Sequence, residues 1–125
     1  MAEPDPVGRW DVWVADLDPT RGSEQRGTRP VLVISNDEAN HRMPVVTVLP
    51  LTKLQGKQRK PYAFEVILPA RFCEPDGVES IVMPQQIRSI SKDRLIEKKC
   101  TIRDVHLRDE IENAVLTHLG IEFEE

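Results

Sequence analysis

The chain contains no Walker A loop, no GxGxxG, no GxSxG and no HExxH, which excludes the enzyme classes that rest on those motifs. Cysteine is scarce. Cys73 and Cys100 lie far apart and match neither a CxxC nor a zinc-ligand spacing, so both are expected to be reduced and buried. His41, His106 and His118 are scattered, and neither a metal site nor a cofactor is expected from them; His118 is expected on a helix surface. No run approaches the roughly 18 apolar residues of a membrane span. The start, Met1 to Pro6, is acidic and proline-bearing and lacks the basic and apolar regions of a secretory signal. The expectation is a cytoplasmic protein with no membrane partner.

At 125 residues the chain is long enough for one core and too short for two. A single domain over 1–125 is expected, with 1–7 as an N-terminal extension and 121–125 as an acidic tail. Net charge is −4, which by itself speaks against a nucleic-acid partner. Its distribution does not. Residues 104–125 hold seven acids against Arg108 alone, a local −6, which leaves residues 1–103 at +2. Residues 21–60 hold eight basic side chains and three acids, a local +5. A polyanion partner needs that kind of concentrated positive field.

Alternation over Trp10 to Leu17 predicts a first strand, and the continuous β-branched run Pro30 to Ser35 predicts a second, buried on both faces, with Asn36-Asp37 turning the chain. A third strand is expected over Pro44 to Thr52, a fourth over Tyr62 to Leu68, and a fifth from Glu79 that Pro84 bends before it continues to Ile90. Lys53 to Lys60 is a polar loop with four basic residues; Pro69 to Gly77 is an irregular connection. Ser91 caps a tight or one-turn helical segment, and Ile96 to Ile102 supplies a last short strand. Asp104 is positioned to cap a helix over 105–119, with Leu107, Ile111, Val115 and Leu119 as its apolar stripe and Gly120 as its stop. Short strands followed by one helix imply a mainly β fold with a C-terminal α-helix, a small bent sheet or barrel.

Between the first two strands lies the polar stretch Asp18 to Pro30, longer than a hairpin connection requires. It gathers Arg21, Arg26, Arg29, Glu24 and three hydroxyls around two glycines, Gly22 and Gly27. Composition leaves two readings open, a solvated hairpin tip or an anion-gripping loop. The second suits in-line RNA cleavage, in which the substrate's 2′-hydroxyl is the nucleophile and the protein positions and neutralises. Arg29, held extended by Pro30, is the candidate guanidinium; its alternative is an ion pair to Asp16 or Glu24. Thr52 offers a hydroxyl or merely β-propensity. Glu24 is a candidate base or an acceptor that orders its own loop. Gln85 and Gln86 read base edges or face solvent, and Trp10 and Trp13 stack bases or fill the core.

The stretch Trp10 to Asp37, with WVADLDPTRGSEQRGTRPVLVISND at its heart, resembles the N-terminal signature of the MazF/PemK (Kid) toxin family. Pro50-Leu51-Thr52, Gln86-Ile87-Arg88-Ser89-Ile90, Lys92 and Arg94-Leu95 keep the family's order, so the resemblance covers about residues 8–119. It implies an SH3-like small barrel of the CcdB/PemK type, a homodimer, and a metal-independent, sequence-specific endoribonuclease acting on single-stranded mRNA. The implied products are a 2′,3′-cyclic phosphate (or 3′-phosphate) and a 5′-hydroxyl. The implied partner is a MazE-type antitoxin. By position, Arg29 and Thr52 match the catalytic pair, and Ser23, Glu24, Gln25, Arg26, Gln86 and Arg88 match the loop and substrate groove. Ser23, Met83 and Gln85 depart from the Kid branch, so its acid–base assignment does not transfer. Trp10 stands where a glycine is common, and Gln85 where an acid is. Two readings compete: a non-enzymatic gyrase poison like CcdB, whose C-terminal Trp-Gly-Ile is here Leu119-Gly120-Ile121, and a catalytically silent RNA- or antitoxin-binding module.

Overall fold

The computed structural model describes residues 6–54, 60–73 and 79–122. Seven strands and two helices follow in the order β1 (Asp11–Asp16), β2 (Thr28–Val33), α1 (Asp37–Arg42), β3 (Val45–Lys53), β4 (Val66–Leu68), β5 (Ser80–Val82), β6 (Arg88–Ser91), β7 (Leu95–Thr101) and α2 (Val105–His118). The sheet is antiparallel, ordered β4-β5-β3-β2-β1-β7, with β6 also on β3. The mainly β fold with a C-terminal helix is the one the sequence pattern implies.

The alternation in β1 divides its side chains between two cores. Trp10 and Val12 join Leu32, Leu49, Leu51 and Leu68 beneath α2, while Trp13, Ala15 and Leu17 join Val31, Val33, Val48 and Ile90 on the other face. Both tryptophans are 5% exposed, so neither is a stacking platform for bases. The second half of β2 is buried on both faces, Val31 and Val33 to one core and Leu32 to the other. Val7, expected in an extension, packs in the second core.

β3 pairs with three strands. Val45 to Val48 pair with β6, Val48 to Pro50 with β2, and Leu51 to Lys53 with β5. Pro50 stands where β2 and β3 part, and its carbonyl accepts the Met83 N–H at 3.1 Å. The expected fifth strand is two, since Pro84–Gln86 form a 3₁₀ turn and the pairing to β3 changes by three residues across it. Two further expectations need correction. Asn36 does not simply turn the chain: its side chain accepts the Ala39 N–H and starts α1. Residues 62–65 form a turn ahead of β4, closed by Glu65 N–H to the Tyr62 carbonyl and by Tyr62 N–H to the Glu65 carboxylate. Gln55 to Arg59, within the second basic loop, Glu74 to Val78, and the end of the acidic tail lie outside the described residues.

Helix α2 begins at Asp104, whose carboxylate accepts the Leu107 N–H at 2.9 Å. It ends in a Schellman motif: Gly120, φ +71°, donates to Thr117 O and Ile121 donates to Leu116 O. Leu107 and Ile111 are buried and Val115 partly so, but Leu119 is 51% exposed. Four-residue steps advance about 40° each around a 3.6-residue helix, so the fourth member of the stripe leaves the core face.

Cys73 and Cys100 form a disulfide rather than the expected reduced thiols. Cys73 closes the 3₁₀ turn Ala70–Phe72 that follows β4, and Cys100 lies in β7; the fold sets their Cα atoms 5.5 Å apart although 27 residues separate them in sequence. β4 and β7 are the outer strands of the sheet order, so the bond joins its two edges. Between them lies a cavity of about 310 Å³ lined by Val12, Pro30, Leu51, Leu68, Cys73 and Lys99 among others.

Candidate active site

Antiparallel partners project to the same sheet face, and that parity collects the candidate residues. Arg29 is opposite Ala15, and Arg88 is opposite Val48. Continuing the β2–β3 register two residues past its last pair, Val31↔Pro50, sets Arg29 across from Thr52, which pairs with β5 along the other edge of β3. Arg29, Thr52 and Arg88 therefore share the face of the second core, at the end of the sheet where β1 runs into its long loop. The seam cavity, lined by Val12, Leu51 and Leu68 of the first core, is on the opposite face.

Arg29 is half-buried. Its Nε donates to the Arg26 carbonyl at 3.2 Å, and among the described residues no carboxylate pairs with it, so the alternative ion pair to Asp16 or Glu24 is absent. Its terminal nitrogens keep the two parallel donors that suit a phosphate. Thr52 is 4% exposed and is positioned by pairing with Ile81.

The loop over this face is closely tied. Leu17 N–H donates to Gly27 O at 3.0 Å, and the Asp18 carboxylate accepts the Gly27 N–H at 3.1 Å. The Arg26 guanidinium returns to Gly22 O, and Glu24 accepts the Arg21 N–H. Gly22 and Gly27, at φ +59° and +77°, take conformations that any Cβ would strain. Gln86, the last residue of the 3₁₀ turn, and Arg88, the first of β6, reach over to the loop: Gln86 donates to Ser23 O at 3.3 Å, and Arg88 lies 3.9 Å from the Glu24 carboxylate and donates to Leu17 O at 3.4 Å. Ser23, Glu24 and Arg26 are exposed and Gln25 half-exposed, forming the outer rim.

Gln85 points away from this rim. Its amide donates to the buried Glu65 carboxylate at 2.7 Å, and its own Oε1 is buried without a hydrogen-bond partner among the described residues. Sequence reading missed Arg94, whose NH1 donates to Asp16 O and Asp18 O at the root of the loop. The signal available was its place in the matched segment after Ile90. Among the described residues no group of three or more His, Cys, Asp or Glu side chains is placed to hold a metal ion.

A shared β3, a helix over one core and an arginine-rich loop over the other define a small β protein of the CcdB/PemK-type fold, with arginines at the rim of its loop. The family model described as PemK-like, MazF-like toxin of type II toxin-antitoxin system matches residues 8–119, and the chain belongs to that family. It is 37% identical over 113 residues to an endoribonuclease MazF of Staphylococcus saprophyticus, covering 90% of this chain and 91% of that one. It also superposes on crystallised MazF of Deinococcus radiodurans, with a TM-score of 0.75, 27% identity and 95% and 100% of the two chains covered. A chain of a MazE–MazF structure from the same organism gives a TM-score of 0.64 at 25% identity, over 97% and 100% of the chains.

Proposed function

We propose that the protein is an endoribonuclease toxin that cuts single-stranded mRNA at a short sequence and so inhibits translation and growth. One observation carries the chemistry: Arg29 is without a carboxylate partner among the described residues and shares a sheet face with Thr52, beneath a loop rich in donors. The substrate's 2′-hydroxyl attacks the adjacent phosphorus and the 5′-oxygen leaves. The 2′-hydroxyl loses a proton and the 5′-oxygen gains one, so the products are a 2′,3′-cyclic phosphate and a 5′-hydroxyl, and addition of water to the cyclic ester gives the 3′-phosphate. The Arg29 guanidinium meets the charge that builds on the phosphorane, and the Thr52 hydroxyl donates to a non-bridging oxygen. No step requires a metal. Ser23, Glu24, Gln25, Arg26, Gln86 and Arg88 line the path of the strand. The protein acts as a cytoplasmic homodimer and is neutralised by a MazE-type antitoxin, in keeping with the MazE–MazF structures among its relatives.

The test is cleavage of single-stranded RNA in EDTA, with transcript 5′-ends mapped. Arg29→Ala is expected to lower kcat by about a thousandfold while leaving the thermal midpoint in place. Undiminished cleavage by that variant overturns the assignment.

A further inference from the structure

Asp16, Leu17 and Asp18 follow one another where β1 runs out into the loop, and guanidiniums from the far side of the sequence take all three of their carbonyls. Arg94 NH1 donates to Asp16 O at 3.1 Å and to Asp18 O, and Arg88 NH1 donates to Leu17 O at 3.4 Å. The β1–β2 ladder ends at Asp16↔Thr28, so these groups stand at the edge of the sheet's own pairing. Arg94 itself is held at both ends. It closes the 3₁₀ turn Lys92–Arg94 that Ser91 caps, and it is followed by Leu95, which pairs with Ala15. From Asp18 the linkage continues across the loop: the Asp18 carboxylate accepts the Gly27 N–H, Gly27 O accepts the Leu17 N–H, and Gly27 is two residues before Arg29.

We propose that Arg94 is a positioning residue: it fixes the root of the 18–27 loop and, through Asp18 and Gly27, holds the Arg29 guanidinium in register with Thr52. This rests on the RNA-cleavage reading above. Arg94 touches no RNA in this assignment. A guanidinium suits the position because one nitrogen serves two carbonyls while the planar group keeps its orientation.

Arg94→Ala and Arg94→Lys test it. Misplacement by about an ångström costs on the order of a hundredfold, so Arg94→Ala is expected to lower kcat by roughly that factor, with Arg94→Lys in between. Millimolar methylguanidinium is expected to restore part of the loss in Arg94→Ala alone. RNA binding is then compared between Arg29→Ala and the Arg29→Ala, Arg94→Ala double variant as salt is varied. An unchanged slope of log affinity against log salt is expected, because no phosphate contact is lost. A slope smaller by about one, with kcat retained in Arg94→Ala, overturns the proposal by making Arg94 a phosphate ligand. Amide hydrogen exchange supplies a readout that needs no activity. Leu17 and Gly27 should lose protection tenfold or more in Arg94→Ala while β3 and α2 keep theirs. Unchanged exchange at Leu17 and Gly27 overturns the proposal, and so does a loss spread over β3 and α2, which marks a fold-wide role. If the wild-type protein cleaves no RNA, the ribonuclease reading falls, and the exchange result still decides whether Arg94 holds the loop.

Discussion

At Trp10 the backbone turns to φ +76°, a conformation that glycine adopts freely and other residues do not. The ring justifies its place by packing: it is 5% exposed in the core under α2, with the Arg9 and Arg108 guanidiniums 4.9 and 5.3 Å from its centroid. Trp10→Ala and Trp10→Gly lose the same ring, but only the glycine variant escapes the strained dihedral. Trp10→Gly is therefore expected to be the more stable of the two by about 1 kcal/mol, reversing the usual order, as chemical denaturation would measure. Asp11 beside it is part of the family signature, and its contacts are structural. The nearly buried carboxylate accepts from Gly8 N–H at 2.7 Å and from the Thr101 hydroxyl at 2.6 Å, with Lys98 at 3.6 Å. Asp11→Ala leaves those donors unpaired and is expected to cost about 2 kcal/mol of stability, with little direct effect on the cleavage step. The types of residue 10 and 11 are visible in the sequence. That one sits at a positive φ and the other anchors β7 follows from contacts about 90 positions apart, which no local pattern encodes.

Among the elements, α2 was the most legible, because its determinants are local. Asp104 and Gly120 are adjacent in sequence to the turns they terminate, and both ends came out as the capping rules predict. Asp104→Ala is expected to lower stability by about 1 kcal/mol, visible as a shift in the denaturation midpoint at constant slope. β3 was less legible. Its length and prolines are readable, but its division among β6, β2 and β5 is decided by which strands arrive beside it. The loop after β1 shows both limits. Its arginines, glycines and acid are on the page as a sequence. The Gln86, Arg88 and Arg94 contacts that give it a shape come from residues 63 to 78 positions away.

For the molecule as a whole, the disulfide matters because of where it lies in the sheet order. β4 and β7 end that order, and Cys73–Cys100 ties the turn after one to the body of the other, beside a cavity in the seam. Breaking a bridge across 27 residues is expected, on the chain-entropy model, to cost about 3–4 kcal/mol. Dithiothreitol should therefore lower the thermal midpoint of the wild-type protein, and Cys73→Ser should show the same loss and no further response to the reductant. A midpoint unmoved by reduction would mean that packing alone closes the seam. Arg29 and Thr52 lie on the opposite face, so cleavage measured well below the midpoint should survive reduction.

By itself, the sequence determined what is local or periodic: the strand alternation, the caps of α2, the charge gathered in residues 21–60, and the family signature that covers residues 8–119. Tertiary structure alone decided what depends on chain segments meeting. It brought Cys73 to Cys100, turned Gln85 inward to Glu65, left Arg29 without a carboxylate partner among the described residues, and set Arg94 under the loop. The reason is physical. Dihedral preferences and hydrophobic period act over a few residues and leave their mark on composition, whereas a hydrogen bond or disulfide between distant residues depends on strand register and sheet order, which the whole core sets together.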